Sequence, residues 1–202
     1  MTQFAGLNPW LSMWSQPRST IRAIVHINPS YGVIYLASMY ALQGFLYFSN
    51  LWSAGLSLPL YAIVLSALVL SPLVGMAWIY MDAFVLGLTG RWLGGDAMPS
   101  HLRSVLAWSK IPFSINLLMW FILLGTNSEA AFILDGGEPS SLFINFITFV
   151  VSIWSFVLLT QSLREIQGFS ISRSIANIAL TKVVLFIFIL LLFNLFRFMS
   201  LI

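Results

Sequence analysis

The stretch 57-SLPLYAIVLSALVLSPLVGMAWIYMDAFVLGLT-89 decides the fold. It contains a single charged residue, Asp82, and no polar run that could form a loop. A helix needs roughly 20 apolar residues to cross the hydrocarbon core of a bilayer. This run is too long for one straight crossing and too short for two crossings with a turn. It therefore predicts one overlong helix, kinked at Ser71-Pro72 with Gly75 just after, whose end projects into the interface.

Four further apolar runs lie on either side of it. Spans are expected over about 31–48, 57–89, 104–125, 141–163 and 174–198, the third entered through Lys110 and Pro112. The predicted fold is all-α: a polytopic membrane bundle of five transmembrane helices over residues 31–202, preceded by an interfacial cytoplasmic segment over 1–30. Composition agrees. Of 202 residues, 59% are hydrophobic and only 7% charged, whereas soluble domains carry roughly 25% charged residues. A water-facing surface cannot be assembled from that supply.

The basic residues orient the bundle. With the N-terminus cytoplasmic, Arg18, Arg22, Arg91, Arg103, Lys110, Arg164, Arg173 and Lys182 fall on the inner side and only Arg197 outside. The positive-inside bias selects this topology and sends the C-terminus to the opposite side. The outer loop, 126–140, carries Glu129, Asp135, Gly136, Gly137 and Glu138. The net charge of +3 is scattered between apolar segments, so it signals orientation and lipid contact, and nucleic acid is not an expected partner. Residues 1–28 contain Pro9, Pro17, Arg18 and Arg22 and no apolar run with a cleavage site, so no signal peptide is expected. From Pro17 onward, Ile21, Ile24 and Val25 share one helical face, with Arg18, Arg22 and His26 beside them. With Trp10 and Trp14 ahead, this segment is expected to lie at the head-group level.

Asp82 is the most informative single residue. A charge at membrane depth costs roughly 3 kcal/mol and normally faces a partner. Lys110, Lys182, Arg91 and Arg103 are candidates at similar depth. The pair either clamps helices together or forms a proton- or ion-coupled site. Lys110 and Lys182 also have apolar stems long enough to snorkel. The spans hold the amides Gln43, Asn116, Asn145, Gln161, Asn177 and Asn194. Such groups tie helices together in a bilayer or line a polar path. Small residues recur at helical spacing, Ala37 with Ala41 and Ser71 with Gly75. The chain has no cysteine, and His26 and His101 have no metal-ligand companions at helical spacing. No phosphate loop, nucleophile elbow or HExxH is present. No catalytic, cofactor or metal residues are therefore assigned, and an enzyme is not expected.

Three segments are similar to a known family: LNPWLSMWSQPRSTIRAIV, TGRWLGGDAMPSHLRSVLAWSKIPFSINLLMW and IWSFVLLTQSLREIQGFSISRSIANIAL. They resemble the Yip-domain membrane family, in its short bacterial-type members. The matching positions are Asn8, Pro9, Trp10, Leu93, Gly94, Gly95, Trp108, Ser109, Pro112, Gly168, Phe169 and Ser170. The resemblance implies five spans, a cytoplasmic N-terminus, self-association or pairing with other membrane proteins, and no agreed catalytic residues. Eukaryotic members, associated with Rab-type GTPases, carry a long N-terminal region. Here about thirty residues precede the first span, which argues against GTPase binding. The expected function is that of a non-enzymatic bacterial inner-membrane protein that organises its membrane or recruits partners. The alternative is a small transporter or channel with Asp82 and the span amides lining its path.

Overall fold

The computed structural model describes residues 8–126, 131–134 and 139–199. Among these there are eight α-helices and one 3-10 turn, and no strand. The acidic loop residues Glu129, Asp135, Gly136, Gly137 and Glu138 lie outside the described residues. Two short helices, α1 (Pro9–Ser15) and α2 (Pro17–Ile27), lead into α3 (Val33–Leu51). The 3-10 turn Ala54–Leu56 precedes the long α4 (Leu60–Trp92). Then come α5 (Pro99–Ser109), α6 (Phe113–Thr126), α7 (Pro139–Gln167) and α8 (Ile171–Met199).

The run that decided the fold is one helix of 33 residues with Pro72 inside it, about 50 Å long at 1.5 Å per residue. It shares its length with α3, and their crossing is very close. A Cβ added to Gly75 would overlap the carbonyl of Ala37 and lie 3.1 Å from Cβ of Ala41. The small residues noted on both helices thus meet each other, which only a backbone without side chains at the crossing allows.

The third expected span is two helices. α5 and α6 are bent by 45° at the break 110–112. Pro112 explains this, because its ring and missing N–H cannot continue the helix that ends at Ser109. Lys110 and Pro112 lie in the break between the two helices, directly ahead of α6. Among the described residues, three helices can cross a membrane by length and composition, α4, α7 and α8, or four if the bent pair is one span. α3, with 19 residues, is not among them.

Two apolar clusters stack along the bundle. One gathers Met13, Ile21, Ile24, Leu86, Val105, Trp108, Leu158 and Leu163 at the end that carries α1 and α2. The other, at the far end, gathers Leu42, Leu46, Ile63, Trp120 and Phe132. Phe132, in a short segment between α6 and α7, stacks on Trp120 with ring centroids 5.8 Å apart. Its backbone is anchored there: Gly55 N donates to the Phe132 carbonyl (3.0 Å), and Asn50 Nδ2 to that of Ala131 (2.9 Å).

The N-terminal helices pack on the bundle. Ile21, Ile24 and Val25 do share one face, but that face is buried in the first cluster against the bundle. Arg18, Arg22 and His26 are exposed. The bundle, not lipid, covers the apolar stripe.

Candidate functional site

Two polar constellations stand out, one within the apolar helices and one at the end carrying α1 and α2. In the first, Lys182 Nζ on α8 donates to both carboxylate oxygens of Asp82 on α4, at 2.9 and 3.0 Å. The Asp82 side chain is 5% exposed and that of Lys182 is 51% exposed. The pairing fits the helix register. Asp82 lies ten residues before the end of α4 and Lys182 eleven after the start of α8, so the antiparallel helices bring them to one level. The other candidate cations go elsewhere. Lys110 sits over the rings of Tyr40 and Phe113, 4.6 and 5.5 Å from their centroids. Arg103 stands 4.5 Å from the ring centroid of Tyr80. Arg91 has no ion-pair partner among the described residues.

About two turns further along α4 toward the α2 end, Thr89 Oγ1 donates to Asn177 Oδ1 at 2.7 Å and lies 2.8 Å from Thr181 Oγ1. All three side chains are buried. The remaining amides are dispersed. Asn116 Nδ2 donates to Thr148 Oγ1 at 2.9 Å, Gln43 is buried on α3, Asn145 is exposed, and Asn194 bonds its own helix at Leu190. Among these four, Asn116 joins α6 to α7, and Asn194 stays within its own helix.

The second constellation is built around Trp108 and Glu165. Trp108 is fully buried. Its indole Nε1 donates to the Tyr31 carbonyl at 2.9 Å, and its ring stacks on Tyr31 with centroids 5.9 Å apart. Trp10 closes against it at 5.0 Å. Ser104 Oγ donates to the Pro29 carbonyl. Asn8 caps α1 by accepting from Trp10 N at 3.1 Å, and Pro9 takes the first helical position. α2 is then clamped to α7. Arg18 Nε donates to Glu165 Oε2 at 3.0 Å, and Arg22 pairs with Oε1. Sequence reading singled out neither Glu165 nor its partners as a site. They are 147 and 143 residues apart, and nothing local marks such a pair.

The two glycine turns meet at the same end. Gly94 and Gly168 have positive φ, which a turn there requires. A Cβ on Gly95 would overlap the Gln167 carboxamide and lie 2.7 Å from Cζ of Phe169. The Leu93-Gly94-Gly95 turn therefore packs on the Gln167-Gly168-Phe169 turn.

Replacing Trp108 tests this assembly. Trp108→Ala removes a fully buried indole and should cost about 3–5 kcal/mol. Trp108→Phe keeps the ring stack but removes the hydrogen bond to the Tyr31 carbonyl, at about 1 kcal/mol. Thermal unfolding of the detergent-purified protein reads both, and equal losses would mean that the hydrogen bond, not the packing, dominates.

Comparison with known families places these residues. The model of the Yip1 domain matches residues 11–193, beginning just after Asn8-Pro9-Trp10 and ending within α8. The chain belongs to the Yip1 domain family. Neither the comparison with curated proteins nor that with solved structures gives a match. Within this Yip1 domain, Leu93, Gly94, Gly95, Trp108, Gly168, Phe169 and Ser170 lie at the α2 end of the bundle or in the turns that close it, while Ser109 and Pro112 lie at the α5–α6 break. It is an integral membrane protein with several apolar helices suited to spanning a bilayer.

Proposed function

We propose that this Yip1 domain is a non-enzymatic protein of a bacterial inner membrane that organises the bilayer or recruits partners through its α2 end. In this reading it crosses the membrane five times, with α3 and the bent α5–α6 pair as the spans beyond α4, α7 and α8. The N-terminus is cytoplasmic and the C-terminus lies on the opposite side. The observation that carries the reading is convergence at one end. The docked α1–α2 pair, both glycine turns and Arg18, Arg22, Arg91, Arg164 and Arg173 all gather there, while Asp82 is engaged by Lys182. The inner side of a membrane is where such an excess of cations is found.

The absence of cysteine makes the topology directly testable. Single cysteines at Ser15 and Ser57 should react oppositely with an impermeant maleimide on intact cells, Ser57→Cys labelled and Ser15→Cys protected until permeabilisation. In proteoliposomes the wild-type chain should narrow the vesicle size distribution, and deletion of residues 1–28 should abolish the effect. A solute flux that vanishes in Asp82→Asn would instead assign the protein to transport.

A further inference from the structure

A cavity of about 630 Å³ opens between the docked N-terminal helices and α7. That volume lies within the range of small-molecule sites, roughly 300–1,000 Å³. Its upper lining is polar and donor-rich. Arg18, Arg22 and Glu165 line it together with Gln161. Two guanidiniums face one carboxylate, and no second acid among the described residues lines the cavity, so these groups leave one uncompensated positive charge. The guanidinium-bearing side chains are 51% and 61% exposed, against 8% for Glu165. The carboxylate is enclosed and the cations are presented.

The donors are also free. Among the described residues Arg18 bonds protein only through Nε, leaving both Nη groups to donate. Gln161 accepts from Arg164 Nη1 at 2.9 Å through Oε1. That bond orients the carboxamide so that its NH₂ group is left to donate, and no described residue accepts from it. Planar guanidiniums with paired N–H groups suit phosphate oxygens.

The lower wall is apolar: Trp154, Val157 and Leu158 of α7. Trp154 and Val157 are exposed on the outer face of that helix, continuous with Ile153 and Val150. From Glu165 to Trp154 is eleven residues, about 16 Å along a helix, close to half of a hydrocarbon core roughly 30 Å thick. The cavity thus has a cationic mouth at one level and an apolar wall one leaflet deep beneath it.

We propose that this cavity binds one phospholipid whose headgroup carries a net negative charge. Its phosphodiester sits on Arg18, Arg22 and the Gln161 amide, and an acyl chain runs down Trp154 and Val157. A phosphodiester with no ammonium matches the single uncompensated charge, whereas a choline headgroup brings its own cation to a site that already has one. The assignment deepens the reading above, because a lipid held between α2 and α7 couples the N-terminal helices to the bilayer. It depends on that reading only for which leaflet supplies the lipid.

Native mass spectrometry of the full chain in mild detergent tests it, with phosphatidylglycerol, phosphatidylcholine and free glycerol phosphate as probes. One phosphatidylglycerol should be retained at least tenfold more tightly than phosphatidylcholine, and glycerol phosphate should not displace it. Arg18→Gln with Arg22→Gln should abolish that preference. Val157→Trp, which fills the apolar wall and leaves the ion pairs intact, should also expel the lipid while helicity stays native. Equal retention of both lipids overturns the proposal, as does unchanged binding to natively helical Val157→Trp. Binding of glycerol phosphate as tight as that of the lipid would make the ligand a soluble phosphate and overturn it too. If lipid binding fails while the wild-type chain still narrows vesicles, the organising role stands without this site. If binding holds and vesicles are unaffected, the role falls and the site remains.

Discussion

Lys182→Met should lower the unfolding midpoint of the purified protein by about 10 °C. The change leaves the Asp82 carboxylate, 5% exposed, without the ammonium that donates to both of its oxygens. Breaking a buried pair by removing one partner costs about 3–5 kcal/mol. The lower end applies, because the Lys182 side chain is itself 51% exposed and the pair is only partly desolvated. Near 200 residues, each kcal/mol moves the midpoint by roughly 2–4 °C, so about 3 kcal/mol gives the stated shift. The converse variant is the sharper test. Asp82→Leu combined with Lys182→Met replaces the whole pair by apolar groups of similar length, which in other buried pairs is neutral or stabilising. The double variant should therefore unfold at or above the wild-type temperature. If both single and double variants unfold at the wild-type midpoint, the pair does not hold α4 to α8. The residues would then have to be retained for something the folded structure does not need, such as charge movement.

Which cation serves Asp82 illustrates what the sequence could and could not reveal. Hydropathy fixes depth, because it counts residues from each end of an apolar run. Lys110, Lys182, Arg91 and Arg103 are all close in depth to Asp82 on that measure, and only the rotation of each helix separates them. Rotation is weakly specified in a helix apolar all round, as α4, α7 and α8 are. The helices themselves were legible for the same reason: long apolar runs with proline and glycine at their ends leave few alternatives. The break at 110–112 was written in Pro112, but an apolar run on both sides of a proline reads equally as one span or as two helices. The α2 stripe of Ile21, Ile24 and Val25 revealed an amphipathic helix without revealing its cover. An apolar face packs on lipid or on protein with the same pattern, and only Glu165, far along the chain, decides for α7. Phe132 was invisible, since one aromatic in a loop has no periodicity to betray burial.

The close crossing of α3 and α4 leads to the second large effect. Gly75→Leu should prevent the protein from accumulating as a folded species in the membrane. At this position even a methyl group would overlap the carbonyl of Ala37, and the next neighbour is Cβ of Ala41 at 3.1 Å. Both obstacles belong to backbone or to the shortest of side chains, so no rotamer change relieves them. The helices must separate, and the cost goes beyond the 1–3 kcal/mol typical where side chains can shift in an overpacked core. Separation also removes the van der Waals contact that holds helices together in a bilayer, where lipid is as apolar as the partner. Packing on both sides of the crossing is then lost, since Ala37 belongs to the first apolar cluster, and Leu42 and Ile63 of the same two helices belong to the second. Gly87→Leu is the matched control. It lies on the same helix, and a Cβ there would meet only Cδ1 of Leu102, at 3.1 Å, the far end of a flexible side chain. Fluorescence-detected size exclusion of tagged variants should show a monodisperse peak for Gly87→Leu and aggregate or loss for Gly75→Leu. Equal behaviour of the two would mean that α3 and α4 do not cross at Gly75.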